Sequence, residues 1–168
     1  MPCILGNTYG YTTGGGSHDQ SFAYTVAAGS NFLVAFFACN ADTASEHSDI
    51  TGVTYNGVAM TELGIREINP SVGDGHTFIL LWILANPAVG SNTFAYTTTD
   101  NAVHSQVCIS DWGRVKSYRT YAQNGGYASP ASITTITSAI LDTVLCGIMA
   151  YQGAPSDSAS GQSTVVAV

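Results

Sequence analysis

Two stretches of this chain are apolar at every position, whichever way a side chain would point. They are Phe32-Leu33-Val34-Ala35-Phe36-Phe37-Ala38-Cys39 and Phe78-Ile79-Leu80-Leu81-Trp82-Ile83-Leu84-Ala85. Both are too short to cross a bilayer as a helix. Both carry the aromatic and β-branched residues that favour strands. A strand wetted on one face alternates apolar with polar residues. In a two-sheet sandwich only one face of each sheet meets the other sheet. The two runs therefore predict central strands whose outer faces are covered as well, by a folded-back loop or by another copy of the chain.

Around them the period is two. Ser21 to Val26 places Phe22, Tyr24 and Val26 on one face and Ser21, Ala23 and Thr25 on the other. Phe94-Ala95-Tyr96-Thr97 and Ile133 to Thr137 alternate in the same way. Further strands are predicted around Cys3 to Tyr9, Val103 to Trp112, Thr143 to Tyr151 and the apolar tail Ser163 to Val168. The tail is either a last strand or a strand lent to a neighbour. The sharpest local signal is Gly52-Val53-Thr54-Tyr55, then Asn56-Gly57, then Val58-Ala59-Met60-Thr61. Asn-Gly accepts the positive φ angles of a type I′ turn, so a tight hairpin is expected, its second strand running on toward Ile68. Helical periodicity is almost absent. The fold class predicted is all-β: one domain over residues 1–168, an antiparallel β-sandwich or jelly roll of roughly nine or ten strands.

Composition narrows the function classes. Only 9% of the 168 residues are charged, and four Lys and Arg against eleven Asp and Glu give a net charge of −7. Generic nucleic-acid binding needs a basic footprint that this chain lacks. An anionic membrane surface is disfavoured for the same reason. The start Met1-Pro2-Cys3-Ile4-Leu5 has neither a basic leader nor a long apolar stretch, so no signal peptide is expected. Cys3, Cys39, Cys108 and Cys146 show no metal-ligand spacing and read as free thiols, with one cross-strand disulfide as the alternative.

Catalytic chemistry is hard to find. The loop with Asp42, Glu46, His47 and Asp49 offers hard oxygen ligands but no known calcium-loop spacing, and it reads as a solvated acidic loop. Gly14-Gly15-Gly16 lacks the following Lys and helix of a phosphate cradle. His18-Asp19 is an isolated pair that reads as a surface turn, His76 and His104 have no evident partners, no Gly-x-Ser-x-Gly elbow supports a triad, and few carboxylates fall inside strands to serve glycoside hydrolysis. No cofactor and no metal are expected.

One cluster is uneven. Three of the four basic residues, Arg114, Lys116 and Arg119, fall within six positions, with Trp112, Tyr118 and Tyr121 around them. Arg, Trp and Tyr are enriched at interface hot spots. Two readings stand here: a solvated loop whose cations pair with local carboxylates, or a docking surface for an acidic partner.

From Gly52 to Trp112 the chain resembles phage and prophage structural proteins. The segments that carry the resemblance are VTYNGVAMTEL, FILLWILANPAVGSNTFAYTTT and VCISDWGRV. In that pattern a Val-Thr-Tyr-x-Gly hairpin precedes an apolar strand ending in Asn-Pro or Ala-Pro, and a Gly-Ser or Gly-Thr turn and a Thr- or Val-rich strand follow. The resemblance implies a β-sandwich module of a virion: a capsid decoration (cement) protein, or a tail or fibre module. It brings no catalytic residues. It implies a homo-oligomer, a trimer above other states, with a major capsid protein or another virion protein as partner, and assembly in the host cytoplasm. The longer proteins of this pattern continue past the last apolar run, which favours a stand-alone module here. A carbohydrate- or receptor-binding module of a phage tail or bacterial surface is the alternative, with Tyr9, Tyr11, Tyr118, Tyr121 and Tyr127 as candidate platforms. A polysaccharide-cleaving enzyme is a third.

Overall fold

A computed structural model describes residues 3–13, 19–41, 50–68, 76–98 and 104–118. The predicted strands at Ile133 to Thr137, Thr143 to Tyr151 and Ser163 to Val168 lie outside these residues, as do Gly14 to His18 and the loop carrying Asp42 to Asp49.

Among the described residues there are nine strands: β1 (Ile4–Thr13), β2 (Asp19–Val26), β3 (Ser30–Ala41), β4 (Ile50–Tyr55), β5 (Val58–Ala59), β6 (Thr61–Ile68), β7 (His76–Ala85), β8 (Gly90–Thr98) and β9 (His104–Gly113). They form a five-stranded sheet, β1-β9-β3-β7-β6, and a four-stranded sheet, β2-β8-β4-β5. All pairings are antiparallel. β1 to β4 alternate between the sheets, and so do β7 to β9. This is the wrapping of a jelly roll, with β6 added at one edge. The all-β sandwich expected from the sequence is the fold observed.

The two doubly apolar runs lie side by side. β3 and β7 pair from Phe32↔Ala85 to Ala41↔His76, at the middle of the five-stranded sheet. Leu33, Ala35 and Phe37 of β3 turn inward, with Leu80 of β7 and Val107 and Ile109 of β9. They pack against Tyr24, Val26, Ile50, Val53, Tyr55, Phe94 and Tyr96 of the smaller sheet. Aromatic rings fill much of this core. Phe37 meets Tyr96 edge-on with centroids 5.0 Å apart, and Tyr24 meets Tyr55 edge-on at 6.2 Å, the arrangement that ring quadrupoles favour.

The Asn-Gly hairpin forms as expected. Asn56 and Gly57 have φ of 51° and 73°, and Tyr55 pairs with Val58. Its second strand does not run on to Ile68 in one sheet, however. β5 ends at Ala59, Met60 is buried in the core, and β6 joins the other sheet. Burial of the Met60 side chain between the sheets marks this crossing point. Other strands extend beyond the predicted limits because polar residues continue the ladders, as at Gly10 to Thr13 of β1 and Gly90 to Thr93 of β8.

Candidate functional site

The described part of the basic and aromatic cluster, Trp112 to Tyr118, begins where β9 ends, beside the edge strand β1 of the five-stranded sheet. Gly113 closes that strand tightly: a Cβ there would stand 2.9 Å from the Gly29 carbonyl oxygen. Arg114 follows with φ of 63°, in the left-handed region that Gly and Asn fill most easily. The next residue is clamped. The Val115 N–H donates to Asn31 Oδ1 (3.0 Å), and Asn31 Nδ2 donates to the Val115 carbonyl (2.6 Å). Arg114, Lys116 and Tyr118 are exposed on this held segment.

Four of the six predicted interface residues are therefore near one another: Trp112, Arg114, Lys116 and Tyr118. Arg119 and Tyr121 lie outside the described residues, as does Tyr127. Among the described residues neither Arg114 nor Lys116 forms an ion pair. The carboxylate nearest in sequence, Asp111, points inward and is wholly buried. Trp112 is half-buried, and its indole N–H donates to Ser110 Oγ at 2.9 Å. Two residues missed by sequence reasoning complete the surface. Ile4 and Leu5 pair with Gly113 and Trp112 and are 47% and 40% exposed. In sequence they were indistinguishable from any strand-forming pair.

Asp111 is the second unforeseen residue. It lies on the inner face of β9, in register with Leu33. Its Oδ1 accepts from the Asn7 N–H (2.9 Å) and the Tyr24 hydroxyl (2.6 Å). Its Oδ2 accepts from the Ala27 N–H (3.1 Å) and the Ser30 hydroxyl (2.5 Å). Four donors from β1, β2, β3 and the β2–β3 turn surround one carboxylate, which satisfies its buried oxygens. The ladder of β1 slips between Leu5 and Thr8, and the extra residue there brings Gly6 and Asn7 against Asp111. Burial, and then the hydrogen bond to Asp111, raise the Tyr24 hydroxyl well above its ordinary range. This cluster joins the two sheets at the same end as Arg114. With all four donors supplied by the protein, it is a structural staple rather than a reactive centre.

The outer face of the five-stranded sheet is apolar across its middle. Phe32, Val34, Phe36 and Ala38 of β3 share it with Ile79, Leu81 and Ile83 of β7 and with Cys108 and Trp112 of β9. Val34 and Ile83 are buried, although they turn away from the other sheet. The rest are half-buried. Leu5, Trp112 and Phe32 are consecutive partners across three strands, so the basic end and this face are continuous.

A smaller aromatic edge lies where β1 approaches β2. Tyr11 and Phe22 have centroids 4.7 Å apart, and Tyr9 and Phe22 5.2 Å. The Tyr11 hydroxyl donates to Gln20 Oε1 at 3.1 Å, and Tyr9 is 39% exposed. The alternative sugar-binding residues Tyr9 and Tyr11 are thus adjacent.

Among the described residues no group of His, Cys, Asp and Glu is placed to hold a metal ion, and no helix is long and apolar enough to cross a membrane. Cys3 and Cys108 are free thiols, and burial raises the Cys108 thiol above its ordinary value. His76 and His104 begin β7 and β9. No protein-family model, no curated protein and no solved structure matches the chain.

Proposed function

We propose that this chain is a non-enzymatic structural module of a phage virion, decorating or cementing a capsid through protein–protein contacts. The observation that carries the reading is the outer face of the five-stranded sheet. A sheet face bearing Phe32, Phe36, Ile79 and Leu81 at its centre is built to be covered. Its apolar area supplies the drive for docking, at about 25 cal/mol per Å² less the cost of association. The half-buried Trp112 and the exposed Arg114 at its end are the residue types that anchor interfaces. The segments that resemble virion proteins fold into β4, β5, the start of β6, β7, β8 and β9, which include part of this face.

The test is to express an epitope-tagged copy in the bacterial host carrying the gene and to band phage particles on a density gradient. The expected result is that the tagged chain bands with the capsid protein and that Trp112→Ala or Arg114→Ala lowers its occupancy. Absence from particles of every density would reject the reading.

The second reading, a sugar- or receptor-binding module, draws on the adjacent Tyr9, Tyr11 and Phe22 rings, since clustered aromatics with a polar neighbour suit pyranose faces. It predicts glycan-array binding that Tyr9→Ala abolishes. Silence on the array would remove it.

A further inference from the structure

Among the described residues the two sheets have four edge strands, β1 and β6 in the larger and β2 and β5 in the smaller. An edge strand carries a row of backbone N–H and C=O groups with no neighbouring strand. Charged residues, Pro or shortness ordinarily keep it from pairing with another chain. β6 carries Glu62, Arg66 and Glu67, and β5 is two residues long. β2 starts on Asp19, and its Thr25 carbonyl accepts from the Asn7 side chain at 2.7 Å. β1 has none of these guards. Its ten residues, Ile4 to Thr13, include no charge and no Pro. Its one irregularity lies between Leu5 and Thr8, and beyond it the ladder to β9 is regular from Thr8↔Ser110 to Thr13↔Ser105. No strand among the described residues pairs with the other side of β1.

The regular stretch reads the same in both directions: Thr8-Tyr9-Gly10-Tyr11-Thr12. We infer that β1 pairs antiparallel with β1 of a second copy of this chain, about a two-fold axis at Gly10, and joins the two larger sheets into one. The symmetry of the sequence selects the occupant. Antiparallel pairing reverses one strand, and a stretch that is its own reverse meets itself with like opposite like. Tyr9 then faces Tyr11 of the second copy, Thr8 faces Thr12 and Gly10 faces Gly10. Directly opposed residues share a face of the sheet, and aromatic and Thr pairs of this kind stabilise it. Tyr9 and Tyr11 are in register with Ile109 and Val107, so they lie on the inner face. A slip by one residue would set Tyr9 against Gly10 or Thr12 and turn an inner face to meet an outer one. A slip by two would keep one tyrosine pair instead of two. The rings are placed for the seam. Tyr9 is 39% exposed although it lies on the inner face, and its centroid is 5.2 Å from that of Phe22 and 6.5 Å from that of Tyr11. The second copy brings the same three rings to the same seam.

Both copies use the same surface, so the contact is isologous and closes at two. It goes beyond the virion reading and does not need it, since incorporation into particles tests that reading separately. It covers Tyr9, and so stands against a sugar site on the same rings. Light scattering on a sizing column should give a mass that rises with concentration from the 17.4 kDa of one chain to twice that value. The strands meet through backbone hydrogen bonds and uncharged side chains. The mass should therefore hold at about 1 M salt, where the screening length is about 3 Å. Gly10→Lys sets two like charges directly opposite each other and should weaken the dimer about tenfold or more. Circular dichroism establishes that this variant remains folded, and Thr8→Lys replaces it if it does not. A disulfide reads the register without disturbing it. Opposed residues have Cα atoms about 4.5–5.5 Å apart, a span that a disulfide bridges. Thr8→Cys protein mixed with Thr12→Cys protein and oxidised with glutathione disulfide should give a linked dimer whose peptide map joins residues 8 and 12. Neither protein alone should give that link. A monomer at every concentration would overturn the proposal. So would an oligomer whose mixture forms no such link, which would place self-association on another surface, or a Gly10→Lys protein as dimeric as the parent.

Discussion

The carboxylate of Asp111 occupies the space that a Cβ on Gly6 would fill: an ideal Cβ built there collides with Asp111 Oδ2 and lies 2.7 Å from Ser30 Oγ. The two residues are 105 positions apart in sequence, 111 less 6, and neither is informative alone. Gly6→Ala should therefore act through Asp111. It pushes the carboxylate off its donors, of which the Tyr24 hydroxyl has the Asn7 carbonyl oxygen at 2.8 Å as a second acceptor, at a cost of about 1–3 kcal/mol. Asp111→Asn keeps the shape but turns an amide NH₂ toward groups that donate, with a loss of at least similar size. Urea unfolding midpoints measure both. A Gly6→Ala protein as stable as the parent would show that the carboxylate can move freely.

Tyr24 gives the staple a pH dependence. Its hydroxyl has an ordinary value of 10.0 and is raised in the folded protein, by burial first and then by Asp111. Above pH of about 10 the unfolded chain loses this proton while the folded chain keeps it. The folded state then binds more protons, so stability is full below that pH and declines as pH rises further. Tyr24→Phe should lower stability at neutral pH by about 1.5–3 kcal/mol, the worth of a hydrogen bond to a charged group. It should also flatten the alkaline decline relative to the parent. An unchanged slope between about pH 10 and 11.5 would assign the decline to other groups.

Adjacent phenylalanines in β3 separate folding from docking. Phe37 is fully buried between the sheets, and Phe36 is half-buried on the outer face. Phe37→Ala should cost about 3–5 kcal/mol, transfer and cavity terms together. Phe36→Ser should cost much less and should reduce incorporation into phage particles. Thermal melts and particle occupancy measured on the same two variants decide the point. Equal destabilisation would mean that the outer face is closed within the monomer.

Much of the fold was legible because strand chemistry is local. Alternation at Ser21 to Val26 announced a half-wet strand, and that strand lies at an edge of its sheet. The unbroken apolarity of Phe32 to Cys39 and Phe78 to Ala85 announced centrality, and these strands pair with each other. Asn56-Gly57 specified its turn through φ alone. What could not be read is long-range. Asp111 stands at an inward parity after Val107 and Ile109, yet its donors lie 81 to 104 residues earlier. Pattern in one strand says which face a residue takes, not which distant donors await it. The same limit hid Ile4 and Leu5. The cluster from Trp112 to Tyr118 was visible as composition, but the strand that completes its surface is set by sheet pairing.

Arg114 offers the cleanest separation of stability from assembly. At φ of 63° glycine costs nothing sterically, whereas a side chain is strained. Arg114→Gly removes that strain and one exposed cation that forms no ion pair among the described residues. Glycine also adds freedom to the unfolded chain, and the two effects oppose each other. The expected result is a melting temperature equal to the parent's or slightly higher, within about 1 kcal/mol of stability. Attachment to particles should fall. Trp112→Ala is the contrasting variant, since Trp112 is half-buried and pairs in register with Phe32 and Leu5, and it should lose some stability as well as attachment. An Arg114→Gly protein that is clearly destabilised would make the guanidinium a folding contact. One that assembles as well as the parent would show that the left-handed arginine is not kept for docking.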